Sequence, residues 1–355
     1  MINLKALPAH DGDSFIIEFG EEETKKSNVI VDGGRGKQIV RELLRETNEI
    51  TDNNQCVDLL VLTHIDADHI QGLLKLFELK NFNKECIRRV FFNSKSLLSE
   101  EFDTKIVEDN NLTINFAKEE ISFKQGETFE KFLENLNIEK MTLIDSSCEP
   151  IYINDAKLTI LSPDKKNLDE LYVNWDKTFN KKKANKEIKG TNTDYNISIE
   201  EILKNPFIED KAIANGSSIS FILEYKSKRI LLLGDSHPSV ILNNIKEIND
   251  NKEIEFDLVK VAHHGSKFNT SDELLKYINC ENYLVSTNRD NTHGFPHKEA
   301  LSRIVKNNFS KNLATYFYFN YSDIGNNIFS SEERKKYNIY ICEKNNNERF
   351  LKISI

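Results

Sequence analysis

Short apolar runs broken by polar turns dominate the chain. Residues 3–7, 14–19 and 28–32 read as three short strands with turns at 10–13 and 20–27, so an antiparallel sheet is predicted to open the chain. After Gly33-Gly34, where missing side chains let the backbone pass close to another segment, residues 37–49 have helical spacing. The run Asp58-Leu59-Leu60-Val61-Leu62 is apolar and branched, as a buried strand requires, and a helical pattern with an acidic first turn begins at Asp68 and continues to Phe77. Residues 90–93 suggest a further strand, while 94–143 alternates helical patterns with polar stretches and shows no chemistry. A hairpin is predicted at 151–153 and 157–161 around Asn154-Asp155, closed by Ser162-Pro163.

The second half repeats one arrangement. Residues 164–214 are polar, with Lys181, Lys182, Lys183, Lys186 and Lys189 close together. Such a run reads first as a solvated loop and second as a phosphate contact, for which Trp175 and Tyr172 could stack on a base or simply pack the loop down. Residues 215–223 and 229–235 then form a predicted hairpin ending in Gly234-Asp235, with a helix from Pro238. The strand from Asp257 ends in His263-His264-Gly265-Ser266 before a helix from Ser271, and the strand 283–288 leads into His293-Gly294-Phe295-Pro296-His297 and a helix over 298–306.

These strand ends carry the candidate chemistry. His64, Asp66, Asp68 and His69 fall within six residues on a strand-to-helix turn, and packing gives no reason to cluster carboxylates and imidazoles beside an apolar strand. Buried charges of this kind are paired or coordinated, so the cluster is predicted to bind metal. Such a turn could hold two ions about 3.5–4 Å apart, as in two-metal hydrolytic sites. Leaving out His10 and His237, all of the chain's 8 histidines lie in these loops. Asp235 alone would read as a turn residue and His297 as a helix-start residue; the company of the other strand-end clusters favours metal binding for Asp235.

With 355 residues the chain can bury a large core, and 39% apolar with 30% charged residues is within the range of globular proteins. A formal charge of -9 argues against coating nucleic acid over the whole surface but allows a local basic groove. The 5 cysteines are far apart without a C-x-x-C pair, which fits reduced thiols, and no apolar run is long enough to cross a bilayer. The expected setting is cytoplasmic, with no membrane partner.

In this order, H-x-D-x-D-H, then Gly-Asp, then His-His-Gly-Ser resembles the metallo-β-lactamase fold superfamily. More closely, residues 64–72, 215–221, 234–235, 260–266 and 294–297 are similar to the soluble hydrolase domain of ComEC-type DNA-uptake proteins and their stand-alone relatives. Gly12-Asp13-Ser14-Phe15 and Val31-Asp32-Gly33-Gly34 agree with that group. The resemblance implies an α/β (α+β) chain folded as a four-layer αββα sandwich: one domain over residues 1–355 with insertions at about 94–143 and 164–214 and a C-terminal extension at about 311–355. It also implies that His64 and Asp66 serve a first metal and Asp68 and His69 a second, that Asp235 bridges, and that His263 completes the second, with His264 as the alternative one residue on.

Two departures matter. Most relatives have histidine where Asp66 stands, and another histidine where this chain offers Asn215, Ser217 and Ser218. Harder oxygen ligands make Mn²⁺ as suitable as Zn²⁺ for the two divalent ions. The insertions leave the substrate rim without a counterpart.

Two bound ions would polarise water and stabilise charge on a substrate oxygen, with Asp68 orienting the water. A phosphodiester or nucleic acid substrate is expected, with His297, His293 or Lys267 contacting an oxygen or protonating the leaving group. A hydrolase of small esters, thioesters, lactams or phosphorylated metabolites is the first alternative. The second is a metal-binding sensor or interaction subunit whose insertions bind a protein partner.

Overall fold

In the computed structural model, which describes residues 1–21, 25–102, 116–136, 138–139, 141–177, 193–289 and 293–355, the opening strands sort their side chains alternately into two cores. Strands β1 (Ile2–Ala6), β2 (Phe15–Phe19) and β3 (Ser27–Val31) pair antiparallel, with Leu4 opposite Ile17 and Ile16 opposite Ile30. Leu4, Ile17, Val29 and Val31 face inward between two sheets, while Ile16 and Ile30 face outward under helices. That period of two, apolar on both faces, marks a sheet covered on both sides.

The chain then alternates α1 (Lys37–Asp52), β4 (Leu59–Val61), α2 (Ala67–Glu78) and β5 (Val90–Phe91), with β4 and β5 added in parallel beyond β3. Helices α3 (Lys95–Phe102) and α4 (Phe116–Leu133) follow, then the hairpin β6 (Ile151–Ile153) and β7 (Ala156–Ser162), which opens the second sheet. Helices α5 (Lys165–Lys177), α6 (Ile199–Ile202) and α7 (Ile213–Gly216) lead into β8 (Ser220–Tyr225), β9 (Lys228–Leu232) and α8 (Pro238–Ile248).

Short β10 (Ile254–Glu255) precedes β11 (Leu258–Lys260), α9 (Asp272–Leu275), β12 (Ile278–Asn279), β13 (Asn282–Val285) and α10 (Lys298–Ser310). The chain ends with β14 (Thr315–Phe319), α11 (Ser331–Tyr337), β15 (Ile339–Glu343) and β16 (Leu351–Ser354). Among the described residues one sheet runs β16-β1-β2-β3-β4-β5 and the other β15-β14-β13-β11-β9-β8-β7-β6, besides the β10–β12 pair.

Three apolar clusters give four layers. One lies between the sheets, joining Phe15 and Phe19 to Phe221 and Leu258; one lies under α1, α2, α4 and α5; the third lies under α8, α9 and α10. The fold is therefore a four-layer αββα sandwich. No described helix is long and apolar enough to cross a membrane.

The stretches without assigned chemistry help build the layers. Trp175 of α5 is fully buried, its ring 5.0 Å from Phe123 of α4, so it packs rather than stacking on a base. Tyr172 lies against Phe102 at 6.2 Å. The lysine run 181–189 is outside the described residues. Residues 311–355 supply β14 and β15 to one sheet and β16 to the other, where Leu4 sits opposite Ile353. The strand predicted from residue 215 starts only at Ser220. Residues 213–219 turn through α7, because Ser217 Oγ bonds back to Ala214 O (2.6 Å) and Ser218 N to Asn215 O (3.0 Å) before β8 begins.

Candidate metal centre

Parallel β4 brings the chain to the sheet edge and releases it at Leu62-Thr63-His64. Thr63 is tied to Asp32, the residue after β3, through its N–H (2.8 Å) and its hydroxyl (2.7 Å). Helix α2 starts at Ala67 with Asp66 in extended backbone before it, so Asp68 and His69 fall in the first turn. Two glycines press that turn into place. A Cβ on Gly72 would lie 1.8 Å from Gly33 O, and one on Gly12 would lie 1.7 Å from Asp68 O, so neither position admits a side chain without moving backbone.

The second sheet delivers the rest from β9 and β11. Asp235 follows β9. His263 and His264 follow β11 in a tight turn where both adopt left-handed backbone, with φ of 46° and 54°. Asp235 Oδ2 is the common point, with Nε2 of His69 at 3.4 Å, His263 at 3.6 Å, His264 at 3.6 Å and His64 at 3.8 Å. Asp68 Oδ2 lies 3.4 Å from His264 Nε2.

Each imidazole is anchored through its other nitrogen. His69 Nδ1 meets Asp32 Oδ2 at 2.7 Å, and His264 Nδ1 meets Ser286 O at 3.0 Å, so both must donate there. Thr63 spends its only hydroxyl proton on Asp32, so it accepts from His64 Nδ1 (3.1 Å). The network thus assigns a protonated Nδ1 to each of these three rings and aims Nε2 at the centre. Nε2 of His64, His69 and His264 and Oδ1 of Asp235 are buried and make no hydrogen bond. Three buried imidazole nitrogens left without a partner around one point are costly unless something fills the space.

Among the described residues two donor sets around this point lie within 4.8 Å: His64 with His69 and Asp235, and Asp68 with His69 and His264. A third set, Asp13 with Asp32 and His69, adjoins them, but there Asp13 is ion-paired with Lys260. Imidazole and carboxylate donors of this geometry suit Zn²⁺ or Mn²⁺. The electrostatics favour positive charge here. Burial lowers the His264 basicity, but Asp235 and Asp13 outweigh it and raise the pKa to about 10; His69 is likewise held well above its usual value by Asp235 and Asp32. Burial opposes ionisation of Asp68 and Asp235 too, yet the imidazoles hold both below the ordinary carboxylate range. His64, with burial dominant, drops to about 4 and is a neutral donor.

The residues proposed from sequence do not all meet. His64, Asp68, His69, Asp235 and His264 converge, and His263 joins them at the rim. Asp66 is in none of the donor sets; its Oδ1 accepts from Ser122 Oγ at 3.1 Å, a partner that the 94–143 stretch supplies. His297 is turned to the backbone, accepting from Lys267 N at 3.2 Å, and burial lowers it to about 4. His293 stacks on Phe295 at 5.4 Å, and the Phe295 ring is 4.8 Å from His263. Lys267 Nζ lies 3.6 Å from Glu299, beside a cavity of about 280 Å³ shared with Asn205, Pro206, Ile208 and Phe268.

Sequence reasoning gave no role to Asp13, Asp32, Lys260, Asp210 and Asn269. Three had a signal: Asp13 and Asp32 adjoin glycines at strand edges, and Lys260 is a charge inside an apolar strand. Asp210 and Asn269 look like ordinary loop residues. In the structure Asn269 Oδ1 faces His263 Nδ1 at 2.9 Å, while Asn269 Nδ2 donates to Asp235 O (3.1 Å) and Asp210 (3.1 Å).

The class is thus an αββα sandwich with a candidate metal centre at one edge of its two sheets, and its resemblances are to metallo-β-lactamase folds. Residues 7–130 match the family model described as Metallo-beta-lactamase superfamily. Over 101 residues, 28% of this chain, the sequence is 27% identical to ComE operon protein 3 of Bacillus subtilis (strain 168), a match that spans only 13% of that protein's length. Among solved structures, the metallo-beta-lactamase fold protein YhfI from Bacillus subtilis aligns over 100% of both chains at 9% identity with a TM-score of 0.45. Zn(2+)-bound PqqB from Methylobacterium extorquens also aligns over 100% of both chains, at 10% identity and a TM-score of 0.41.

Proposed function

We propose that the chain is a metal-dependent hydrolase acting on phosphodiesters of the kind that link nucleic acids. The observation that carries the metal reading is the set of imidazole Nε2 atoms, each anchored from behind, turned with Asp235 onto one buried point. His64, His69 and Asp235 would hold one divalent ion, and Asp68 and His264 are the donors left for a second, since His69 has only Nε2 to offer. Zn²⁺ or Mn²⁺ bound there supplies Lewis acidity toward a phosphoryl oxygen and makes a water more acidic.

This chain's own residues do the rest. Asp68 is held ionised and can orient the attacking water. Asp32 and Thr63 fix the rings of His69 and His64 so that no reorganisation is needed when charge develops. His263, on the side of the centre nearest Phe295 and His293, is placed to contact the substrate. The phosphodiester reading is supported by Lys267, which follows the His-His-Gly-Ser turn, and by the ComEC-like motif order.

The test combines metal analysis with hydrolysis of linear and circular DNA, RNA and bis-(p-nitrophenyl) phosphate. About one to two Mn or Zn per chain are expected, with loss of both metal and turnover in Asp68→Ala and His69→Ala. Hydrolysis that survives both substitutions overturns the metal-dependent reading; hydrolysis of small esters with none of phosphodiesters overturns the substrate.

A further inference from the structure

Lys260 is the last residue of β11, a buried strand, and its side chain is 1% exposed. Burying an ammonium is unfavourable unless its charge is paired and its protons are satisfied. Two oxygens lie close to its ammonium and a third stands at ion-pair distance. Nζ donates to Gly234 O at 3.1 Å, pairs with Asp13, and lies 3.8 Å from Asp235 Oδ1. Each of these oxygens belongs to a group that controls a metal donor. Gly234 O also accepts from the N–H of His263 at 2.9 Å, which ties the turn bearing Asp235 to the turn bearing His263 and His264. The other oxygen of Asp13 lies 3.3 Å from His264 Nδ1 without a hydrogen bond, since that N–H donates to Ser286 O, so Asp13 acts on the ring through its charge. Asp235 Oδ1, on the Lys260 side, has no hydrogen bond, whereas Oδ2 faces the four imidazoles.

We propose that Lys260 is a positioning residue of the metal centre, an internal cation that turns Asp235 so that Oδ2 meets the ion and, through Asp13, sets the His264 ring. The inference rests on the metal reading above and predicts a sign that simple charge repulsion does not. A positive charge beside a divalent ion disfavours that ion, so removing it would tighten binding if Coulomb repulsion were its whole effect. If Lys260 positions the donors, removing it weakens binding by about 10- to 100-fold, the loss typical when a ligand's supporting partner is removed.

The experiment uses the full chain stripped with chelator and titrated with Mn²⁺, following the free-ion electron paramagnetic resonance signal, and with Co²⁺, following visible absorption. Lys260→Met is compared with wild type. Because that variant leaves Asp13 buried without its cation, Asp13→Asn/Lys260→Met removes both charges together, and circular dichroism establishes folding. At least about tenfold weaker Mn²⁺ binding in a folded variant, with an altered Co²⁺ spectrum at saturation, supports the inference. Equal or tighter Mn²⁺ binding, or an unchanged Co²⁺ spectrum, overturns it. If neither variant folds, Lys260 is a structural ion-pair partner and the inference also falls. Wild type that takes up no ion at all overturns the metal centre itself, a result distinct from equal binding by wild type and variants.

Discussion

Asp210 Oδ2 lies 3.5 Å from His263 Nδ1, so a segment with no chemistry of its own in sequence reaches the edge of the metal centre. Asp210 is fixed in turn by Asn215 Nδ2 at 2.6 Å and Asn269 Nδ2 at 3.1 Å. Burial disfavours its charge, but His263 and Asn215 hold it below the usual carboxylate range, and His263 is raised in return by Asp235 and Asp210. Asp210→Asn keeps the shape and removes the charge. Phosphodiester kcat/KM is expected to fall about 10- to 100-fold, and the metal-free protein is expected to melt lower, since a carboxyl held below its usual range contributes stability that the amide lacks. Steady-state kinetics with differential scanning calorimetry checks both.

The contact between Gly33 and Gly72 sets the depth at which α2 meets the first sheet. Gly33 N bonds to His69 O at 2.7 Å and Gly72 N to Gly34 O at 2.8 Å, so backbone touches backbone beside the donors. Gly72→Ala would drive a methyl into Gly33 O and displace α2 with His69. A destabilisation of about 1–3 kcal/mol is expected from overpacking, read by urea unfolding. Metal uptake should fall more than stability alone explains, which atomic absorption of the folded fraction measures.

Metal loading should release protons. With His264 raised to about 10 and His69 raised well above its usual value, both rings are protonated near neutrality before an ion arrives, and a ligand nitrogen must lose its proton to bind. His64, lowered to about 4, already lacks its proton there and contributes none. Apparent affinity therefore rises as pH rises through the neutral range and falls in acid. Isothermal titration at pH 7 in buffers of different ionisation enthalpy is expected to show release of about one to two protons per ion bound. No release, or affinity that falls with rising pH, would contradict the assigned charges.

The layers were legible because each strand needs a local pattern to be buried. The apolar runs at 58–62 and 229–235 and the alternation at 14–19 all reappear as strands, since nothing else could shield those side chains. Irregular boundaries were less legible. Residues 215–219 lead directly into the apolar run of β8, and Ser217 and Ser218 close a turn through bonds that no hydropathy pattern encodes. Cover for an outer layer was hidden too: α4 and α5 meet through Phe123 and Trp175, which lie far apart in sequence.

By itself the sequence determined the strand-end placement of His64, Asp68, His69, Asp235, His263 and His264, because hydrophobic period and turn chemistry are local properties. Only the tertiary structure decided which of them share a centre. It put Asp66 on Ser122, brought Lys260 and Asp13 behind the donors, and supplied Asp210 to His263. Those relations depend on two sheets closing face to face, and the direction of a side chain across that interface is set by packing between distant segments rather than by its neighbours in the chain.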